Sequence, residues 1–312
     1  MLTNYFDPIE WIRDFRIATK NRIGFRELRA DIFNQNIELV KQGGYTLNGM
    51  VVEIPNDNTV IEDTVYFDKP EPLQPRNQPV ATKISVIEAD CIETAELLKK
   101  AGYNVCVLNM ANRQIPGGGV LNGAGAQEEN IFRRTNLFLS LYQFADFSSK
   151  YGIKRHAKSY PLNRDTGGVY SKDVTVFRGS EKNGYCFLKH PFKLSFVSVP
   201  AINKPELEKI NGDYLISKSL VEPTKEKIRT ILRISGKYNH DCLVLSAFGC
   251  GAFCNPPKHV AKLFKEVLQE VEFAAHFKLV VFSIIDDHNS WKEHNPEGNI
   301  LPFSREFETC LS

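Results

Sequence analysis

The sequence has no surplus of charge: 39 basic residues face 37 acidic ones, for a formal net charge of +2. No global field points to a nucleic acid or a membrane as partner, and a polyanionic ligand would have to be drawn by a local field. Long apolar runs are also missing, since none approaches the roughly 20 residues that cross a bilayer. The first residues, MLTNYFDPIEWIRD, mix acids with polar side chains and lack the apolar stretch of a signal peptide, so a cytoplasmic protein is expected. Cysteines are present without a pattern. The seven (Cys91, Cys106, Cys186, Cys242, Cys250, Cys254 and Cys310) are odd in number and scattered, which predicts buried reduced thiols. Cys250, Cys254 and nearby His259 lack a second thiolate pair, so no zinc is expected. Asp286, Asp287, His288 and His294 read as a polar turn, and no metal or cofactor is expected. No G-x-G-x-x-G lies between a first strand and a helix; the isolated G-x-G at Gly249 and Gly251 does not make a nicotinamide site. There is no internal repeat.

The composition, 42% hydrophobic and 24% charged over 312 residues, suits one large domain or a domain with an accessory piece. Residues 5–42 read as two helices, the second stopping at Gly43-Gly44. Arg16, Lys20, Arg22, Arg26 and Arg29 read as their solvated face. Two strand-like pieces follow, Tyr45 to Ile54 and Thr59 to Phe67. A connector from Lys69 to Thr82 carries Pro70, Pro72, Pro75 and Pro79. It divides an N-terminal, mainly helical accessory region (1–80) from a ligand-binding domain (81–312).

That second region alternates strands and helices. Strands are expected at Ile84 to Glu88, Tyr103 to Met110, Val174 to Phe177, Leu194 to Val199, Cys242 to Ala247 and Leu279 to Ile285. Helices are expected at Cys91 to Ala101, Ala126 to Leu141, Glu222 to Ile234 (with Gly236 beyond its end) and Pro256 to Phe273. The pattern is α/β with a mixed central sheet.

The chain is organised around NMANRQIPGGGVLNGAGAQEEN, Asn109 to Asn130. Gly117, Gly118 and Gly119 lie between a buried strand and a helix, and seven residues separate them from Gln127-Glu128-Glu129. Three glycines in a row suit a backbone that approaches a ligand closely or takes positive φ. The crevice beyond the carboxyl end of such a strand is where open α/β sheets bind ligands, and successive N–H groups there can cradle an anion. Early-turn glutamates alone could simply complement the helix dipole, but that leaves the glycines unexplained. A second loop, Ala247 to Pro257 (AFGCGAFCNPP), also joins a strand to a helix; with the first it suits a diphosphate.

GGG, seven residues, then QEE resembles the signature of poly(ADP-ribose) glycohydrolases, and the surroundings resemble their bacterial-type (microbial) branch. The similar segments are Val107 to Glu129, Tyr170 to Gly179 (YSKDVTVFRG) and Leu243 to Pro257 (LVLSAFGCGAFCNPP). The resemblance implies a macrodomain-like three-layer α/β/α fold and cleavage of the ribose–ribose O-glycosidic bond of poly(ADP-ribose) to release ADP-ribose. It implies Glu129 as the acid that protonates the departing ribose oxygen and then activates water. Glu128 would orient the ribose hydroxyls and Gln127 would support the loop. The loop Gly249, Cys250, Gly251, Ala252, Phe253 would grip the diphosphate beside Gly117–Gly119, with Phe253 on the distal ribose. Asn112 would touch the ribose hydroxyls. Asp90 would receive the adenine amino group, although its position before a helix equally suits an N-cap. Partners would be poly(ADP-ribose) or ADP-ribosylated proteins. Two other readings keep the fold: a hydrolase of mono-ADP-ribosylated arginine, and a non-catalytic ADP-ribose-binding module, which would be expected to lack the glutamate pair.

Overall fold

A computed structural model describes residues 6–55, 58–74 and 80–308. Residues 1–5, the Pro75 to Pro79 stretch of the connector and Cys310 lie outside the described residues. Asp7 starts helix α1 (Pro8–Asn21), its Oδ1 accepting from the Ile9 and Glu10 amides at 2.8 and 3.3 Å. Helix α2 (Phe25–Gln42) ends on Gly43 in the left-handed region. The piece expected as one strand after it is a hairpin, β1 (Gly44–Leu47) with β2 (Met50–Glu53), because Asn48-Gly49 takes positive φ at both positions. Thr59 to Phe67 also splits, into α3 (Thr59–Glu62) and β3 (Val65–Phe67). Strand β4 (Lys83–Glu88), helix α4 (Cys91–Lys100) and strand β5 (Val105–Met110) match expectation.

The single helix expected from Ala126 to Leu141 is two short ones, α5 (Gln127–Phe132) and α6 (Leu137–Tyr142). Strands β6 (Gly168–Arg178) and β7 (Phe187–Val199) follow. The helix breaks because the backbone between its halves is claimed by β6. Thr135 bridges Val176, the Asn136 amide donates to the Thr175 carbonyl, and the Thr175 amide donates to Asn136 Oδ1 at 2.8 Å. The hairpin β8 (Leu207–Ile210) and β9 (Asp213–Ile216) was not expected. Helix α7 (Lys218–Lys237) runs past the expected stop: Gly236 is inside it, where any Cβ would collide with Leu73 and His276. Strand β10 (Cys242–Leu245), helix α8 (Pro257–Leu268), strand β11 (Leu279–Ile284) and a further helix, α9 (Ile300–Glu308), complete the chain.

Seven strands pair in the order β3-β6-β7-β5-β10-β11-β4, a mixed sheet flanked by helices. Strands β5, β10, β11 and β4 are parallel. β4 and β5, joined through α4, are therefore separated by two strands that arrive later in the chain. The chain divides into two compact units: Met1–Val65, Gln114–Pro161 and Ser171–Ser195 form one, and Tyr66–Arg113, Leu162–Tyr170 and Phe196–Ser312 the other. In the first, Phe33 packs its ring against Phe132, Phe138 and Tyr142, while Trp11 stacks on Phe15 and meets Tyr185 edge-on. Arg178 is fully buried there, donating to Asn36 Oδ1 at 2.6 Å and the Tyr185 carbonyl at 2.8 Å, and bonded to Gln35. In the second unit α8 buries Val260, Leu263, Phe264 and Val267, and α9 lays Phe303 and Phe307 on Phe282. Six cysteines lie among the described residues, four of them buried. No helix of the described residues is long and apolar enough to cross a membrane.

Candidate active site

The first unit holds the glycine–glutamate loop. Gly117 and Gly118 take φ of +79° and +55°, values that favour glycine. Their turn brings the loop's amides onto the two glutamates at the head of α5. Gly117 N–H donates to Glu128 Oε1 at 3.0 Å, and Gly119 N–H donates to Glu129 Oε1 at 2.8 Å. Gly118 N–H donates to the Ile115 carbonyl at 3.0 Å. All three glycine amides are thus spent inside the protein, on its own carboxylates and one carbonyl. A Cβ on Gly118 would lie 2.5 Å from Glu129 Oε1, and one on Gly117 would lie 2.6 Å from the Phe132 ring. A side chain at Gly117 would have to displace the Phe132 ring, and one at Gly118 would have to displace the Glu129 carboxylate.

Glu128 and Glu129 are only 3% and 7% exposed. Glu129 Oε2 is buried and has no hydrogen-bond partner among the described residues. A buried carboxylate oxygen with no donor carries a desolvation cost that either a proton or a substrate hydroxyl relieves. Gln127, the first residue of α5, is half-buried.

Behind the loop lies a set of charged groups that the sequence did not disclose. Arg133, fully buried, donates from Nη1 to the Ala124 carbonyl at 2.8 Å and from Nε to Tyr185 Oη at 2.7 Å. Tyr185 donates to Glu181 Oε2 at 2.8 Å, and Arg29 grips the same carboxylate bidentately at 2.7 and 2.6 Å. Arg29 is therefore not part of a solvated face, although Arg16, Lys20, Arg22 and Arg26 are exposed as expected. Burial pushes the Glu181 carboxyl up, but the Arg29 hydrogen bonds and charge, with Arg133 and the Tyr185 hydroxyl, hold it below its ordinary value.

The second unit holds the other predicted residues, which fall beyond the carboxyl ends of its parallel strands. In the loop after β10, Gly249 takes φ of +74° and packs against Ala201 and Asn255. Cys250 turns inward: its thiol is buried, its amide donates to the Ala247 carbonyl at 3.0 Å, and its carbonyl meets His294 Nε2 at 2.9 Å. Asn255 Nδ2 clamps the loop, donating to the carbonyls of Ile202, Gly249 and Phe253 at 2.8, 3.1 and 3.2 Å. The amides of Gly249, Gly251, Ala252 and Phe253 have no protein acceptor among the described residues. Open amides on a pinned, glycine-bearing turn suit an anion. Phe253 is half-buried and stands outside the core.

Asp90 caps α4, with Oδ1 accepting from the Ile92 and Glu93 amides at 3.0 and 2.9 Å. Asn112 is half-buried two residues beyond β5. Asp286 holds the polar loop after β11, accepting from Ser290 Oγ at 2.7 Å and the Asn299 amide at 2.6 Å. His259 Nδ1 accepts from the Ile216 amide at 2.9 Å. Among the described residues no three His, Cys, Asp or Glu side chains gather as a metal site.

Comparison with known proteins follows the same lines. The family described as microbial-type PARG, catalytic domain, matches residues 34–179. The chain is similar to the poly(ADP-ribose) glycohydrolase of Thermomonospora curvata at 30% identity and a TM-score of 0.70, covering 89% of this chain and 99% of that one. The structure of the T. curvata enzyme bound to the inhibitor ADP-HPD matches at 29% identity and 0.69, with the same coverage. The poly(ADP-ribose) glycohydrolase of Deinococcus radiodurans in complex with ADP-ribose shares the fold at 24% identity and a TM-score of 0.61, covering 83% of this chain and 99% of that one. No curated protein sequence matches.

Proposed function

The chain belongs to the microbial-type poly(ADP-ribose) glycohydrolase family, and on that premise we propose that it hydrolyses the ribose–ribose O-glycosidic bond of poly(ADP-ribose), releasing ADP-ribose. The observation that carries this reading is the asymmetry of Glu129. One carboxyl oxygen is fixed by Gly119, and the other is buried with no partner among the described residues. Protonated on Oε2, Glu129 delivers its proton to the departing ribose oxygen as an oxocarbenium-like centre develops. As the carboxylate it then takes a proton from the water that attacks the anomeric carbon. Glu128, anchored by Gly117, orients the ribose hydroxyls, and Gln127 supports the loop.

In the second unit the amides of Gly249, Gly251, Ala252 and Phe253 take the diphosphate. Cys250 shapes the turn, the Phe253 ring covers the distal ribose, Asn112 bonds its hydroxyls, and Asp90 faces the adenine amino group. Binding the non-reacting diphosphate supplies energy that positions the reacting carbon. Gly117–Gly119 act on substrate through the glutamates they hold.

The test is a turnover assay without added metal on two substrates, a poly(ADP-ribosyl)ated protein and a protein mono-ADP-ribosylated on arginine. Free ADP-ribose is quantified for wild type and Glu129→Gln. Release from the polymer that disappears in the variant supports the reading. Release from arginine alone, or ADP-ribose binding with no release from either substrate, overturns it.

A further inference from the structure

Residues 147–161, FSSKYGIKRHAKSYP, belong to the first unit and contain Lys150, Lys154, Arg155 and Lys158 but no acid. The chain's net charge is +2, so without these four cations it would be 2 − 4 = −2. All four are exposed. A basic run is ordinarily no more than a solvated face, and three observations set this one apart. Some exposed lysines elsewhere carry carboxylate partners, as in Lys100–Glu96, Lys172–Asp63, Lys258–Asp213 and Lys278–Asp241. Lys150 and Lys154 have no acidic partner among the described residues. Their field is therefore not neutralised locally.

The run also forms one wall of an open groove of about 380 Å³, lined entirely by first-unit residues. Lys41, whose Nζ pairs with the exposed Glu38 at 2.9 Å, and Lys150, unpaired among the described residues, flank it, and Phe138, Ile153 and half-buried Tyr151 line it. Ammonium groups beside an aromatic ring match a phosphate carried on a sugar or base. Finally, the groove lies against the aromatic layer that backs the glycine–glutamate loop. Tyr151 packs on Tyr142 with ring centroids 4.7 Å apart, Tyr142 packs on Phe132 at 5.8 Å, and Phe132 fills the space beside Gly117. None of the groove residues belongs to that loop.

We propose that this groove is a second anion subsite, holding a further ADP-ribosyl unit of a polymeric substrate through its diphosphate. Lys41 and Lys150 contact the phosphates, Tyr151 takes the sugar or base, and Lys154 and Lys158 draw the continuing strand. The inference rests on the polymer reading above.

The test compares wild type with the triple variant Lys41→Glu, Lys150→Glu, Lys154→Glu and with a control, Lys99→Glu, Lys100→Glu, on the exposed end of α4. Binding of purified long poly(ADP-ribose) and of monomeric ADP-ribose is measured over a salt series, alongside release of ADP-ribose and thermal melting. The triple variant is expected to melt like wild type and bind monomer as wild type does. It should lose about tenfold or more in polymer affinity, with a shallower salt dependence. The control should lose little. Equal losses on monomer and polymer, no loss in the triple variant, or an equal loss in the control overturns the subsite. Competition by single-stranded RNA of equal charge at equal concentration would make it a general polyanion surface and overturn the ADP-ribosyl assignment. Because polymer binding is read independently of turnover, a wild-type protein that releases nothing yet shows the selective binding loss defeats the proposed reaction and leaves the groove as a polymer-binding site.

Discussion

The Gly119 amide holds Oε1 of Glu129 at 2.8 Å, and the other oxygen of that carboxylate is buried and unpartnered among the described residues. Glu129→Gln preserves the volume and the bond to Gly119 but removes the transferable proton. Its kcat is expected to fall about 10²–10⁴-fold, with the dissociation constant for ADP-ribose unchanged, as single-turnover release and calorimetric titration would show. A parallel loss of ADP-ribose binding would assign Glu129 to ligand holding instead.

Gly118→Ala places a methyl group 2.5 Å from Glu129 Oε1, at φ +55°. Glu129 must move, and the strain is expected to cost about 1–3 kcal/mol of stability. Activity should drop far more than the melting temperature suggests. Circular dichroism and turnover measured on the same sample separate the two effects.

Asn255→Ala removes three bonds that pin the loop bearing the open amides of Gly249, Gly251, Ala252 and Phe253. ADP-ribose affinity is expected to fall about tenfold or more, in line with the loss of a preorganised cradle. Calorimetric titration with ADP-ribose checks it.

Glu181 has a carboxyl held below its ordinary value of 4.5 in the folded protein. A depressed folded value contributes stability that is present above the unfolded value and lost as pH falls through the folded one. The melting temperature of wild type relative to Glu181→Gln should therefore be highest from neutral pH down to about pH 5, and the difference should shrink below about pH 4. A difference that stays constant down to pH 3 would show that the Arg29 pair makes no titrating contribution.

Lys227 shows the same sign of linkage in a more alkaline window. Burial lowers its ammonium from 10.5 to about 8; Asp165 opposes the shift, while Arg113 and Arg164 add to it. Its Nζ donates to the Arg164 carbonyl at 2.5 Å. Between those two values the unfolded chain binds the proton and the folded chain does not, so stability rises with pH there. Wild type should gain melting temperature relative to Lys227→Met between pH 8 and 10. Identical slopes for the two proteins would count against a buried ammonium.

The sequence by itself determined the class of fold and the local chemistry of the loops. Apolar runs of strand length alternating with helical stripes required an α/β sheet, and β4, α4, β5, β10, α8 and β11 lie where their patterns placed them. Asp90 was legible as a cap because capping is a contact between residues two and three apart. The spacing of GGG and QEE located the candidate acids. Contacts between distant residues were not legible. Thr135 pairing with Val176 broke a helix that periodicity would have continued, and Gly236 proved to be a packing site, not a stop. Arg29 looked like one more surface cation until Glu181, 152 residues away in the chain, claimed it. Spacing likewise suggested both glycine loops as anion cradles. Only the tertiary structure decided which amides remain open, because a hydrogen-bond donor is available to a ligand only when the fold has not already given it an acceptor. Around Gly117–Gly119 the fold supplied those acceptors from the protein's own glutamates; at Gly249, Gly251, Ala252 and Phe253 it did not.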